Sequence, residues 1–66
     1  MEELNKKMAE LNQKIGARLA EIDRNIKDYG EKDAEILNNI LRQMNERDQK
    51  NIETLQAAEE IILGIR

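Results

Sequence analysis

Few side chains in this sequence could take part in chemistry. The 66-residue chain has no His, Cys or Ser, so Thr54 carries its single aliphatic hydroxyl and Tyr29 its single phenol. Without imidazole or thiol groups it lacks the usual general base for neutral pH, a thiolate nucleophile and the common zinc ligands. Catalysis or metal binding would have to depend on Asp, Glu and Lys.

The carboxylates are not spaced for such work. In the adjacent pairs Glu2-Glu3 and Glu59-Glu60, the two side chains would point about 100° apart on a helix and would not converge. The Glu-x-x-His pattern of carboxylate metal sites is impossible without His, and both glycine-rich phosphate-binding patterns are missing. We predict a protein that is not an enzyme, with no catalytic residues, no cofactor and no metal.

The charge pattern argues against nucleic acids and membranes as partners. Eleven basic residues face 14 acidic ones, for a net charge of −3. Acids precede bases at salt-bridge spacing, as in Glu3–Lys7 and Glu10–Lys14, whereas nucleic-acid binding requires a clustered basic face. The sequence contains neither a signal peptide nor an apolar run long enough for a bilayer. We expect no direct nucleic-acid binding, no membrane contact and a cytoplasmic location.

The composition indicates an all-α protein. Ala, Glu, Lys, Leu and Arg supply 34 of the 66 residues, a proportion typical of long helices and coiled coils. Val, Phe and Trp, which favour strands, are absent.

Apolar residues of the first half recur in steps of three and four, which predicts one amphipathic helix over about residues 2–29. They are Leu4, Met8, Leu11, Ile15, Leu19, Ile22, Ile26 and Tyr29.

The pattern is interrupted over about residues 30–33. Gly30 suits the left-handed position after a helix, and Asp33 suits the N-cap of the next one. We therefore predict a helical hairpin with its turn at about 30–33 and a second helix over about 34–65. The alternative is one continuous coiled-coil helix, because the chain has no Pro to force a break.

The second helix has a wide apolar start, then a polar stretch at 45–51, then a second apolar segment. Asp48 lies where the stripe would otherwise continue, which favours a polar layer that fixes helix register. The alternative is that Arg47, Asp48 and Lys50 simply face water. The apolar residues of this helix are Ile36, Leu37, Ile40, Leu41, Met44, Ile52, Leu55, Ile62 and Ile65.

A chain this small, with no disulfide, has too little core to be stable alone without further contacts. We therefore predict a single module over residues 1–66 that forms a helical bundle as a homodimer or homotetramer. The predicted oligomer interface comprises Leu4, Met8, Leu11, Ile15, Leu19, Ile22, Ile26, Tyr29, Ile36, Leu37, Ile40, Leu41, Met44, Ile52, Leu55, Ile62 and Ile65.

One segment resembles a known family. The run Arg47-Asp48-Gln49-Lys50, followed by Glu53-Thr54-Leu55 and Glu59-Glu60, resembles the C-terminal coiled-coil segment of MerR-like plasmid and phage regulators. The resemblance covers about residues 47–60. It implies an oligomerisation domain that follows an N-terminal DNA-binding domain.

Two functions are consistent with these observations. The first is a homo-oligomerisation module, the assembly domain of a DNA-binding regulator if the resemblance holds. The second is a small stand-alone protein of phage or bacterial type that binds another protein of the host and inhibits it.

Overall fold

The structure is a computed structural model that describes residues 2–64. It contains two helices, α1 over Glu2–Tyr29 and α2 over Glu35–Gly64, which pack antiparallel as a hairpin. No strand occurs within residues 2–64. The predicted all-α hairpin is confirmed, and the alternative of one continuous helix is wrong.

The reversal of the chain depends on Gly30. Its φ is +86°, a left-handed conformation that residues with a Cβ rarely adopt. Its N–H donates to the carbonyl oxygen of Ile26 at 2.9 Å and closes the last turn of α1.

The second helix begins one residue later than the sequence indicated. The first i→i−4 hydrogen bond of α2 runs from the Asn38 N–H to the Ala34 carbonyl oxygen at 2.8 Å. The residue whose carbonyl accepts that first bond is the N-cap, so Ala34 holds this position and Asp33 does not. Ala34 is completely buried in the turn. A side chain as large and polar as that of Asp would lose its contact with water at this position.

The hairpin is a single layer of helices. Its Cα atoms extend over 52 × 16 × 10 Å, so each helix has one neighbour and keeps its other sides open to solvent. Within residues 2–64, three apolar residues are buried, namely Ile22, Ala34 and Ile52. A domain normally buries its apolar faces between two packed layers, and this chain supplies one.

Candidate functional site: the helix interface and the two faces of the hairpin

The interface between α1 and α2 follows a strict heptad spacing, and five of its fourteen residues are polar. The residues of α1 that turn toward α2 step by four and three from Leu4 through Ile15 to Asn25. This spacing keeps one side of each helix toward its neighbour along the whole hairpin. The interface residues are Leu4, Met8, Leu11, Ile15, Arg18, Ile22 and Asn25 on α1, and Ala34, Asn38, Leu41, Asn45, Asp48, Ile52 and Leu55 on α2.

Near the turn the two helices are joined through asparagine side chains. Asn38 is 2% exposed, the most deeply buried of the large side chains within residues 2–64. Its amide nitrogen donates to the Ile22 carbonyl oxygen at 3.4 Å, and its amide oxygen accepts from the Asn25 side chain at 3.1 Å. A buried amide is stable only when it is hydrogen-bonded in this way.

In the middle of the hairpin the helices are joined by an ion pair. The Arg18 guanidinium contacts the Asp48 carboxylate, and both side chains are largely shielded, with 17% and 13% exposure. Arg18 also donates to the Asn45 side-chain oxygen at 3.4 Å, and the Asn45 amide donates to the Ile15 carbonyl oxygen at 3.4 Å. Among the described residues, no buried side-chain nitrogen or oxygen is left without a partner.

Asp48 therefore lies between the helices, while its neighbours Arg47 and Lys50 face solvent. Its side chain forms part of a polar layer within one chain. The prediction that this layer also determines the number of chains in the oligomer stays a prediction.

The hairpin has two broad faces. Each face has a shallow groove, and the residues that line the groove identify the face. The first groove is lined by Lys7, Glu10, Leu11 and Lys14 from α1 and by Asn51, Thr54 and Leu55 from α2; we call this side the groove face. The second lies beside the turn and includes Ile26, Glu35 and Arg42; we call that side the far face.

Exposed apolar residues are concentrated on α2 along the groove face. Leu37 and Met44 lie two and one heptads before Asn51, and Ile40 lies two heptads before Thr54, so all three belong to that face. Leu37, Ile40 and Met44 are 50%, 52% and 37% exposed. Ile61, one heptad after Thr54, continues the same row beyond the first residues of α1.

The far face carries fewer apolar residues. Leu19 lies one heptad before Ile26 and is 54% exposed. The residues of α2 on this face are polar, among them Glu35, Arg42 and Gln49, except for Leu63 at the free end. The two faces therefore differ, because apolar side chains run along α2 on the groove face and occur singly on the far face.

The predicted interface residues divide into four groups in the structure. Those that pack between the two helices of one chain are Leu4, Met8, Leu11, Ile15, Ile22, Leu41, Ile52 and Leu55. Those that stay exposed are Leu19, Tyr29, Ile36, Leu37, Ile40, Met44 and Ile62. Ile26 is partly exposed, and Ile65 lies outside the described residues.

Sequence reasoning missed the polar partners Arg18, Asn25, Asn38 and Asn45. The predicted apolar stripe continues from Ile15 to Leu19 and from Ile22 to Ile26. The helix interface continues instead from Ile15 to Arg18 and from Ile22 to Asn25. Extending the four-and-three spacing of Leu4–Ile15 without regard to polarity would have found them.

Other kinds of site are not seen in the described part of the chain. Residues 2–64 contain no group of three or more Asp or Glu side chains arranged to hold a metal ion. Neither described helix is long and apolar enough to cross a membrane. Comparisons with protein families, with characterised proteins and with solved structures found no significant match.

Proposed function

We propose that this protein is a self-association module whose hairpins pair into a helical bundle and so hold two copies together. The observation that carries the proposal is the exposed apolar row on α2, Leu37, Ile40 and Met44 with Ile61 at the free end. A row of this spacing on one helix face is the usual contact surface for another helix.

The large accessible surface area of the hairpin supports the proposal that a second copy covers part of it. It measures 5418 Å², about 1,000 Å² more than the size scaling gives for a compact folded monomer of 7.7 kDa. A stable protein–protein interface buries about 800 Å² on each partner. The excess surface is therefore of the size that one copy would lose on dimerisation.

The free energy gained by burying the exposed apolar side chains is comparable with the free-energy cost of association. The exposed fractions of five apolar side chains add up to about two and a half whole side chains in water. These residues are Leu37, Ile40, Met44, Ile61 and Ile62. At about 2 kcal/mol for each fully buried side chain, two copies would gain about 10 kcal/mol. Association costs about 4–15 kcal/mol, so we expect a dimer whose population depends on protein concentration.

The test compares two variants that differ in the face they alter. Ile40→Glu places a carboxylate on the groove face, and Leu19→Glu places one on the far face at nearly equal exposure, 52% against 54%. Burying an unpaired carboxylate costs several kcal/mol, so Ile40→Glu should yield monomers while Leu19→Glu should retain the wild-type mass.

The measurement is sedimentation equilibrium over a range of concentrations, with helicity checked by circular dichroism. A wild-type chain that stays monomeric at every concentration would overturn the proposal. An equal loss of mass in both variants would also contradict it, because the groove face would then have no special part.

A further inference from the structure

We infer that the groove faces of two copies pack on each other antiparallel, about a two-fold axis that passes beside Asn51 of α2. This inference rests on the proposed self-association and adds its geometry. Two observations support it: the order of residues along α2, and the exposed free end of α2 that extends past the start of α1.

Along α2 the groove-face row is symmetric about its centre. It begins with apolar residues, continues through the polar Arg47, Asn51 and Thr54, and ends with Ala58 and Ile61. Met44 and Ala58 are equally far from Asn51. An antiparallel copy centred there would bring apolar residues against apolar residues at both ends and polar ones together in the middle.

The polar centre of this row can satisfy itself across such an axis. Asn51 carries both amide donors and an acceptor, so it can pair with the same residue of a second copy. Arg47 lies opposite Thr54 of the other copy, whose hydroxyl donates to the Lys50 carbonyl oxygen at 3.0 Å and keeps its lone pairs free for the guanidinium.

Along α1 the groove-face row alternates in charge. Glu10, Lys7 and Lys14 line the groove, and heptad spacing adds Glu21, one heptad after Lys14. About a two-fold axis at residue 12 of α1, Glu10 of one copy meets Lys14 of the other, but Glu3 meets Glu21, so the charges of α1 do not fix the position of the axis.

The antiparallel arrangement also covers the free end of α2. Residues near Ala58 lie beside Leu4, so Ile61 and Leu63 extend past the start of α1 and are 65% and 49% exposed. In an antiparallel pair the Ile40 region of the second copy lies against Ile61, whereas Leu63 belongs to the far face. A two-fold axis parallel to the helices would place α1 of one copy on α2 of the other and would leave Ile61 beyond the start of the other copy's α1.

The experiment measures distances between identical spin labels in the two copies. The chain contains no Cys, so single substitutions Gln43→Cys, Lys50→Cys and Ala57→Cys give uniquely labelled proteins. The three positions are spaced by heptads and exposed, so each label has the same sideways displacement. Their distances then differ only by position along the helix.

At about 1.5 Å rise per residue, the antiparallel pair separates the labels along the axis by about 24 Å at position 43, 18 Å at position 57 and 3 Å at position 50. We expect the measured distances in that order, by double electron–electron resonance. Three equal distances in a dimer would overturn this inference and leave the proposed self-association intact. A monomeric chain would overturn both.

Discussion

Replacing one partner of the Arg18–Asp48 ion pair should destabilise the hairpin more than replacing both partners. Both side chains are more than four-fifths shielded and contact each other between the helices. Replacing Asp48 with Leu leaves the Arg18 guanidinium partly buried, with only the Asn45 amide oxygen as an acceptor at 3.4 Å. Since an unpaired buried charge is costly, Asp48→Leu should destabilise the hairpin even though it adds apolar surface.

The size of the effect follows from the partial burial. Breaking a fully buried pair costs about 3–5 kcal/mol, and the remaining exposure of this pair reduces that to about 2 kcal/mol. For a domain of 60–100 residues, 1 kcal/mol lowers the melting temperature by about 4–8 °C. We therefore expect a decrease of about 8–16 °C for Asp48→Leu and a similar decrease for Arg18→Leu.

Removing both charges should reverse the effect. In Arg18→Leu/Asp48→Leu no charge is left without a partner, and two apolar side chains fill the layer between Ile15 and Ile22. Hydrophobic replacements of buried ion pairs are often neutral or stabilising by about 1–4 kcal/mol. The double variant should melt at or above the wild-type temperature.

The assay is thermal unfolding followed by circular dichroism at 222 nm, at one fixed protein concentration because self-association makes the melting temperature concentration dependent. The coupling energy of the double-mutant cycle is the quantity of interest. If the two single effects are each below about 0.5 kcal/mol, or simply add in the double variant, the pair is a solvated surface contact and the reasoning fails.

Three further predictions concern single positions. Gly30→Ala should cost about 1–2 kcal/mol because the φ of +86° is unfavourable for a residue with a Cβ, whereas Gly30→Asn should cost less; equal melting temperatures for the two variants would contradict this. Gly16→Ala should stabilise by about 0.5–1 kcal/mol, since nothing lies within 4 Å of the added Cβ in the middle of α1; urea unfolding will show whether the midpoint rises. Asn38→Ala should cost about 1–3 kcal/mol because the Asn25 amide loses its acceptor, and faster hydrogen exchange near the turn should accompany it.

Much of the fold was accessible from the sequence because the relevant signals are local. The apolar spacing predicted both helices, and Gly30 marked the turn because glycine alone adopts its left-handed conformation at little cost. Where α2 begins could not be read in the same way. Asp33 is the better N-cap by residue type, but the buried position after it accepts only a small side chain, and that constraint appears only once the helices are packed.

The helix interface was harder to predict because polarity was taken as a sign of solvent exposure. Asn38 and Asn45 lie between the helices because each finds a partner on α1, the Asn25 side chain or the Ile15 carbonyl oxygen. Conversely, Leu19 and Ile40 were predicted at an interface and are about half exposed in one hairpin. Whether a second copy covers Ile40 depends on contacts between chains, which a single sequence specifies only indirectly.

The hairpin also determines where any attached polypeptide would emerge. The first described residue of α1 and the last of α2 lie at the same end, opposite Gly30. In the antiparallel pair proposed above, the ends of the two copies would be at opposite poles of a rod about as long as the 52 Å hairpin. Domains joined to either end would then be held apart at a fixed spacing and would face in opposite directions. The module would therefore act as a molecular spacer as well as a dimerisation unit.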